Sequence, residues 1–227
     1  MSPNMQFNSY ANFSELSASL VKQWLDVIKH SSDNGDQASF ALAGGSTPAP
    51  IYRQLDLMLA DRGSSNIRLT ATDERWVNDA DPQSNEGLFK QCLPLSYRKQ
   101  WNLVSLKNSA NTPEVAIEAI NERLQQQLPE RFDAVLLGMG ADGHIASLFP
   151  NAPLQHDGLA CIAAVHPQSH QTRISLSLPR LMNTAKIWLV ITGAEKRQVL
   201  EAALSKDLPI SSLLKQAVCN IQVFWCP

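Results

Sequence analysis

Few cysteines, little aromatic content, no dominant charge and no long apolar run mark this sequence. Its 4 cysteines, at positions 92, 161, 219 and 226, form no C-x-x-C pair and no zinc-ligand spacing. That excludes a disulfide framework and a zinc ribbon, and leaves buried free thiols in a reducing compartment. Lys plus Arg total 19 against 21 Asp plus Glu, a net charge of -2. A balance this close to neutral excludes a strongly basic nucleic-acid binder and an acidic tail protein, although a local basic pocket stays open. No segment approaches the roughly 20 consecutive apolar residues of a membrane span. The stretch from Met1 to Tyr10 is polar, unlike a secretory signal. The expected location is therefore the cytoplasm, with no membrane and no nucleic acid among the partners. What is present is a globular composition: 227 residues, 44% hydrophobic and 18% charged, enough for a single α/β domain with its own core.

Periodicity supplies the architecture. Phe13, Leu16, Leu20, Val21, Trp24, Leu25 and Ile28 recur at helical spacing, with Asn12 and Glu15 in a capping-box pattern. Strands are expected at 39–43, 67–72, 101–106, 132–137, 160–165, 173–178, 187–192 and 221–225. Helices are expected from Pro48, over 84–93, from a Thr112 cap to about Leu128, and over 194–204. The run Phe132 to Leu137 is almost wholly apolar, as a strand buried on both faces requires. Alternating strands and helices predict a three-layer, doubly wound α/β fold, its sheet mostly parallel with helices on both faces.

In such sheets ligands bind beyond the carboxyl ends of the strands. Four loops there hold the informative residues: Gly44 to Thr47, Asp73 to Arg75, Gly138 to His144, and Gly193 with Lys196 one turn on. Gly44-Gly45-Ser46-Thr47 precedes a helix, where small residues and free N–H groups can approach an anion; a plain capped turn is the alternative. It is not a G-x-x-x-x-G-K-[ST] loop, and Pro48 excludes a nucleophile elbow. Gly138 to Gly143 matches G-x-G-x-x-G. However, Pro150 leaves room for only about two helical turns, and the next strand ends at Val165-His166 with no acid, which argues against a dinucleotide site. His144 follows a buried strand, sits among glycines and has Asp142 two residues away. Histidine is the side chain best matched to proton transfer near neutral pH. The other histidines (30, 156, 166 and 170) carry no such context. Arg173 and Lys196 fit either solvated surface charges or an anion site, and Arg75 either a salt bridge with its acidic neighbours or that same site.

Taken together, these motifs resemble a family. Ala43-Gly44-Gly45-Ser46-Thr47-Pro48, Thr72-Asp73-Glu74-Arg75-Trp76-Val77, Ser84-Asn85, the segment from Leu137 to Pro150, Arg173-Ile174-Ser175-Leu176 and Thr192-Gly193-Ala194-Glu195-Lys196 look like the 6-phosphogluconolactonases, which share their fold with the glucosamine-6-phosphate deaminases. The resemblance implies hydrolysis of 6-phospho-D-glucono-1,5-lactone to 6-phospho-D-gluconate in the oxidative pentose phosphate pathway, with no metal and no cofactor. By resemblance His144 is the acid–base group, Asp142 orients either it or the sugar, and Asp73 holds sugar hydroxyls. The phosphate set is Gly44, Gly45, Ser46, Thr47, Arg75, Arg173 and Lys196. Backbone N–H groups of Gly138, Gly140 and Gly143 are the expected oxyanion donors. Ile145 stands where the family often has Thr, and Asn78 where it often has Pro; neither is an acid, a base or a phosphate ligand.

Two rival readings stay open at this stage. One is the sister deaminase, whose motif runs D-G-H-I-A-F-N-E-P; its glutamate falls at Phe149 here. The other is a non-catalytic sugar-phosphate sensor, which retention of His144 argues against. The expected assembly is a monomer or a weak homo-oligomer acting on a small molecule.

Overall fold

The computed structural model describes residues 5–60, 66–93, 101–154 and 158–227. In chain order these form β1 (Met5–Ser9), α1 (Phe13–Asp33), β2 (Ala38–Leu42), α2 (Ala49–Ala60), β3 (Ile67–Ala71), β4 (Asp73–Arg75), α3 (Asn85–Cys92) and β5 (Trp101–Leu103). There follow α4 (Pro113–Gln127), β6 (Ala134–Leu137), β7 (Cys161–Val165), β8 (Thr172–Leu176), α5 (Leu178–Met182), β9 (Lys186–Thr192), α6 (Ala194–Ala202), α7 (Pro209–Gln216) and β10 (Asn220–Cys226). His156 and the first four residues lie outside the described residues.

Seven strands pair in the order β1-β10-β9-β6-β2-β3-β5, every pair parallel. From β2 the chain winds outward through β3 to β5; from β6 it winds the other way through β9 and β10. The direction therefore reverses between β2 and β6, and that is where a doubly wound sheet opens a crevice at its carboxyl edge. Both strands are buried along their whole length, which accounts for their near-continuous apolar sequence.

Two expectations need correction. The strands at 160–165 and 173–178 do not extend the parallel sheet: β7 and β8 pair antiparallel with each other, and β8 pairs with β4 in a separate three-stranded sheet. The charged triplet Asp73-Glu74-Arg75, expected as a loop, is β4 itself. At the other end, β1 had no counterpart in the sequence reading, because Met-Gln-Phe-Asn-Ser carries too few apolar residues to announce a strand; pairing with β10 makes it one. Thr112 precedes α4 but its side chain makes no capping bond. Asn12 does cap α1, its side chain accepting the Glu15 N–H at 3.0 Å.

The core between α1, α2 and the central strands is aromatic. Trp24 lies 5.3 Å from Phe40 and 5.6 Å from Trp188, and Tyr52 meets Phe89 edge-on at 5.6 Å, all ring centroid distances. Tyr52 is fully buried, and its hydroxyl donates to the carbonyl of Ala43, the residue that opens the Gly44–Thr47 loop. Burial pushes the phenol well above its ordinary value, so it stays a neutral donor. Tyr52→Phe removes the donor from that carbonyl and is expected to cost about 1–2 kcal/mol. Thermal unfolding should show a Tm lower by roughly 2–8 °C; an unchanged Tm would mean the bond contributes nothing. The 4 cysteines are buried free thiols, and burial alone drives Cys161 up to about 12, so it is not a nucleophile at neutral pH.

Candidate active site

A cleft of about 320 Å³ opens at the reversal point. Its walls include Gly44, Gly45, Ser46 and Thr47 after β2, Asp73 and Arg75 on β4, Gly138, Gly140 and His144 after β6, Arg173 on β8 and Lys196 in α6. Of the candidate site residues, Asp142 and Gly143 do not line the cleft. Residues from five separate segments thus converge: four lie at or beyond the carboxyl ends of the parallel strands, and Arg173, near the start of β8, is brought in by the pairing of β8 with β4.

His144 and Asp142 are in direct side-chain contact. Asp142 Oδ1 lies 2.6 Å from His144 Nδ1 and also accepts the His144 backbone N–H at 3.2 Å. A carboxylate there fixes the proton on Nδ1 and leaves Nε2 as the unengaged ring nitrogen. Partial burial pulls the Asp142 carboxyl upward, but the His144 N–H, its ring charge and the ring hydrogen bond together outweigh it and hold the group below the ordinary value. Gly140 makes room for the pair: a Cβ there would stand 2.2 Å from the imidazole.

That crowding corrects the expected oxyanion set. The Gly140 N–H is spent on the His144 carbonyl at 2.9 Å, and the Gly143 N–H on the Gly140 carbonyl at 3.0 Å. Both bonds close the turn that presents His144. Gly138, which lines the cleft with open space where a Cβ would be, is the one of the three not used inside the loop.

The cations differ in how they are held. Lys196 sits in the first turn of α6 and engages no carboxylate among the described residues. A lysine there opposes the helix dipole, an arrangement that an anion between them relieves. Arg75 and Arg173 are cross-strand neighbours on β4 and β8. Glu74, adjacent to Arg75, does not pair with it. Its carboxylate is fully buried and accepts the N–H groups of Arg75, Asn85 and Glu86 at 2.7, 2.8 and 2.7 Å, with Lys107 Nζ at 3.5 Å. It caps α3, and Arg75, which donates to the Gln83 carbonyl, faces the cleft without a carboxylate partner among the described residues. Arg173 is the cation with an acidic partner, 3.6 Å from Asp73 Oδ2; desolvation lowers its guanidinium despite the pull of Asp73 upward. On the opposite wall, the backbone N–H groups of Gly45, Ser46 and Thr47 meet no protein acceptor among the described residues.

Three residues here make contacts the sequence reading does not assign: Asn85 enters it only as part of a motif, Phe149 only as the position of the deaminase glutamate, and His166 as a histidine without context. Asn85, buried, donates its amide to the Asp73 carbonyl at 2.7 Å and reaches Asp73 Oδ1 at 3.4 Å. A Cβ on Gly44 would lie 1.7 Å from its Oδ1, so the glycine is required where the loop crosses Asn85. The capping Ser84 just before it was a signal for the helix, not for this contact. Phe149 is buried with its ring 5.2 Å from His144 and 5.1 Å from His166, and Arg173 lies over its face at 5.7 Å. His166 Nδ1 accepts two N–H groups of its own hairpin, from Gln168 and Ser169. Desolvation and the charges of Arg173 and His144 keep its imidazole below the ordinary value. Among the described residues, no cluster of three or more His, Cys, Asp or Glu is placed to hold a metal ion, and no helix is long and apolar enough to cross a membrane.

Among the described residues, the G-x-G-x-x-G segment is followed by irregular chain and then β7, with no helix between them. A family model described as glucosamine-6-phosphate isomerases/6-phosphogluconolactonase matches residues 11–225. A 6-phosphogluconolactonase from Caulobacter vibrioides is 34% identical over 204 residues, covering 83% of each chain. One from Mesorhizobium japonicum is 31% identical over 233 residues, covering 97% of this chain and 95% of its own. The crystal structure of a 6-phosphogluconolactonase from Shewanella baltica superposes with a TM-score of 0.90, covering 100% of both chains at 29% identity. A match along nearly the whole sequence, on a fold shared end to end, makes this chain a member of the glucosamine-6-phosphate isomerase/6-phosphogluconolactonase family.

Proposed function

We propose that the chain hydrolyses 6-phospho-D-glucono-1,5-lactone to 6-phospho-D-gluconate, the lactonase step of the oxidative pentose phosphate pathway. The observation that carries this reading is the pairing, in one cleft, of an Asp142-oriented His144 with three cations, Arg75, Arg173 and Lys196. His144 Nε2 takes a proton from water as the water oxygen bonds to C1. The carbonyl oxygen becomes an oxyanion, to which the Gly138 N–H can donate. The C1–O5 bond then breaks, and the proton on Nε2 passes to O5. No side-chain nucleophile is needed. The cations and the free N–H groups after β2 hold the 6-phosphate, and Asp73 Oδ1, whose one hydrogen-bond contact among the described residues is the long one to Asn85, is placed to accept a sugar hydroxyl.

A deaminase would need a proton-transferring group where this chain has Phe149. That ring is buried against His144 and carries no exchangeable proton. The deciding experiment follows lactone disappearance above its spontaneous rate and, in parallel, ammonia release from glucosamine 6-phosphate. Accelerated lactone loss without ammonia is expected. Ammonia at a comparable rate would reverse the assignment, and binding of the phosphosugar with neither activity would indicate a sensor.

A further inference from the structure

We infer that Ser147 is a positioning residue that keeps Arg173 available to the substrate phosphate by standing between that arginine and Asp73. The inference rests on the lactonase reading for the identity of the anion. Ser147 is buried, at 2% exposure, three residues beyond His144. Its hydroxyl donates to Asp73 Oδ2 at 2.5 Å and lies 3.4 Å from Arg173 Nη1, which donates to it. Its own N–H is held by Ser175 Oγ at 3.2 Å, on the strand that carries Arg173. The guanidinium itself stays 3.6 Å from the same carboxylate oxygen, longer than a charge-assisted hydrogen bond. A hydroxyl is therefore placed where a direct, bidentate arginine–carboxylate pair would otherwise close.

The backbone supports this placement. Ala146, between the acid–base turn and Ser147, has φ +49°, a left-handed conformation uncommon for alanine. Such an outlier persists only where the surroundings over-determine it. Here it turns the chain from His144, on the cleft wall, to Ser147, under it. Arg173 also lies over Phe149, whose other neighbour is His144, so the same arginine borders both halves of the site. Without the Ser147 hydroxyl, Asp73 Oδ2 loses its short donor and Arg173 moves onto it. The arginine charge is then spent inside the protein, not on the 6-phosphate.

The test measures kcat/KM for 6-phosphogluconolactone and for unphosphorylated glucono-1,5-lactone, and the calorimetric Kd for 6-phosphogluconate. It uses wild type, Ser147→Ala and Ser147→Cys, the last keeping the side-chain volume while removing the strong donor. The preference for the phosphorylated lactone should fall by about tenfold, and product affinity with it. In an Arg173→Met background the same replacements should leave the preference unchanged. A merely structural serine would lower both substrates in proportion. A preference within twofold of wild type in folded variants would overturn the inference, as would an undiminished loss in the Arg173→Met background. Wild type that binds 6-phosphogluconate but turns over neither lactone defeats the lactonase reading instead, and the Kd series then decides the role of Ser147 alone.

Discussion

His144→Ala is expected to lower kcat for lactone hydrolysis by about 10²–10⁴-fold while leaving the affinity for 6-phosphogluconate within a few-fold of wild type. The imidazole is the group in the cleft with one ring nitrogen locked by a carboxylate and the other unengaged. Its removal takes away both the base that activates water and the acid that protonates the departing ring oxygen. It takes away none of the cations. The side chain is about a quarter exposed, at 28%, so its loss opens the cleft and leaves no sealed cavity in the core. Steady-state kinetics corrected for spontaneous opening of the lactone, with product binding by calorimetry, separate the two quantities. Asp142→Asn should also lower kcat, by no more than His144→Ala does, because an amide N–H presented to Nδ1 reverses the tautomer and leaves Nε2 protonated and unable to act as a base. Turnover of His144→Ala within twofold of wild type would remove the residue from the mechanism.

The parts of this site legible in the sequence are those that one segment builds by itself. His144 and Asp142 are two residues apart in a tight turn after an unmistakably apolar strand, so their contact follows from local geometry. The Gly44–Thr47 loop is read the same way, from a strand, small residues and a helix start. What was not legible is side-chain packing between segments. Ser147 and Asp73 are 74 residues apart, and nothing in either neighbourhood announces the 2.5 Å bond between them. Nor does the sequence say which acid Arg75 avoids: Glu74 is drawn away by the N–H groups of α3 and by Lys107, a partner 33 positions along the chain. The small antiparallel sheet escaped for a related reason. Its strand β4 is three charged residues whose extended form comes from pairing with β8, not from any pattern of their own. The oxyanion expectation failed on hydrogen-bond accounting. Glycines in a turn were counted as free donors, although the turn closes by spending two of those N–H groups.

Discrimination for the 6-phosphate should be large. Charge-assisted hydrogen bonds contribute about 1.5–3 kcal/mol each, and three cations with the free N–H groups after β2 can engage one dianion. Unphosphorylated glucono-1,5-lactone is therefore expected to show kcat/KM lower by at least about 10³-fold. The cations should not contribute alike. Arg173 is already shared with Asp73, whereas Lys196 and Arg75 have no carboxylate partner among the described residues. Lys196 has little structural duty, so Lys196→Ala should leave Tm unchanged and raise KM for the phosphorylated lactone by about 10–100-fold, with kcat much less affected. The same variant should hydrolyse the unphosphorylated lactone as wild type does, because the lost contact is to a group that substrate lacks. Arg75→Ala is expected to behave similarly toward phosphate but to lose some stability as well, since its guanidinium also holds the Gln83 carbonyl. Raising salt should weaken wild type more than Lys196→Ala, as screening acts on a charge that is partly exposed. Equal kcat/KM for the two lactones in wild type would refute the phosphate site. A Lys196→Ala enzyme whose loss is equal on both substrates would show that the lysine supports the fold of α6 and does not bind the anion.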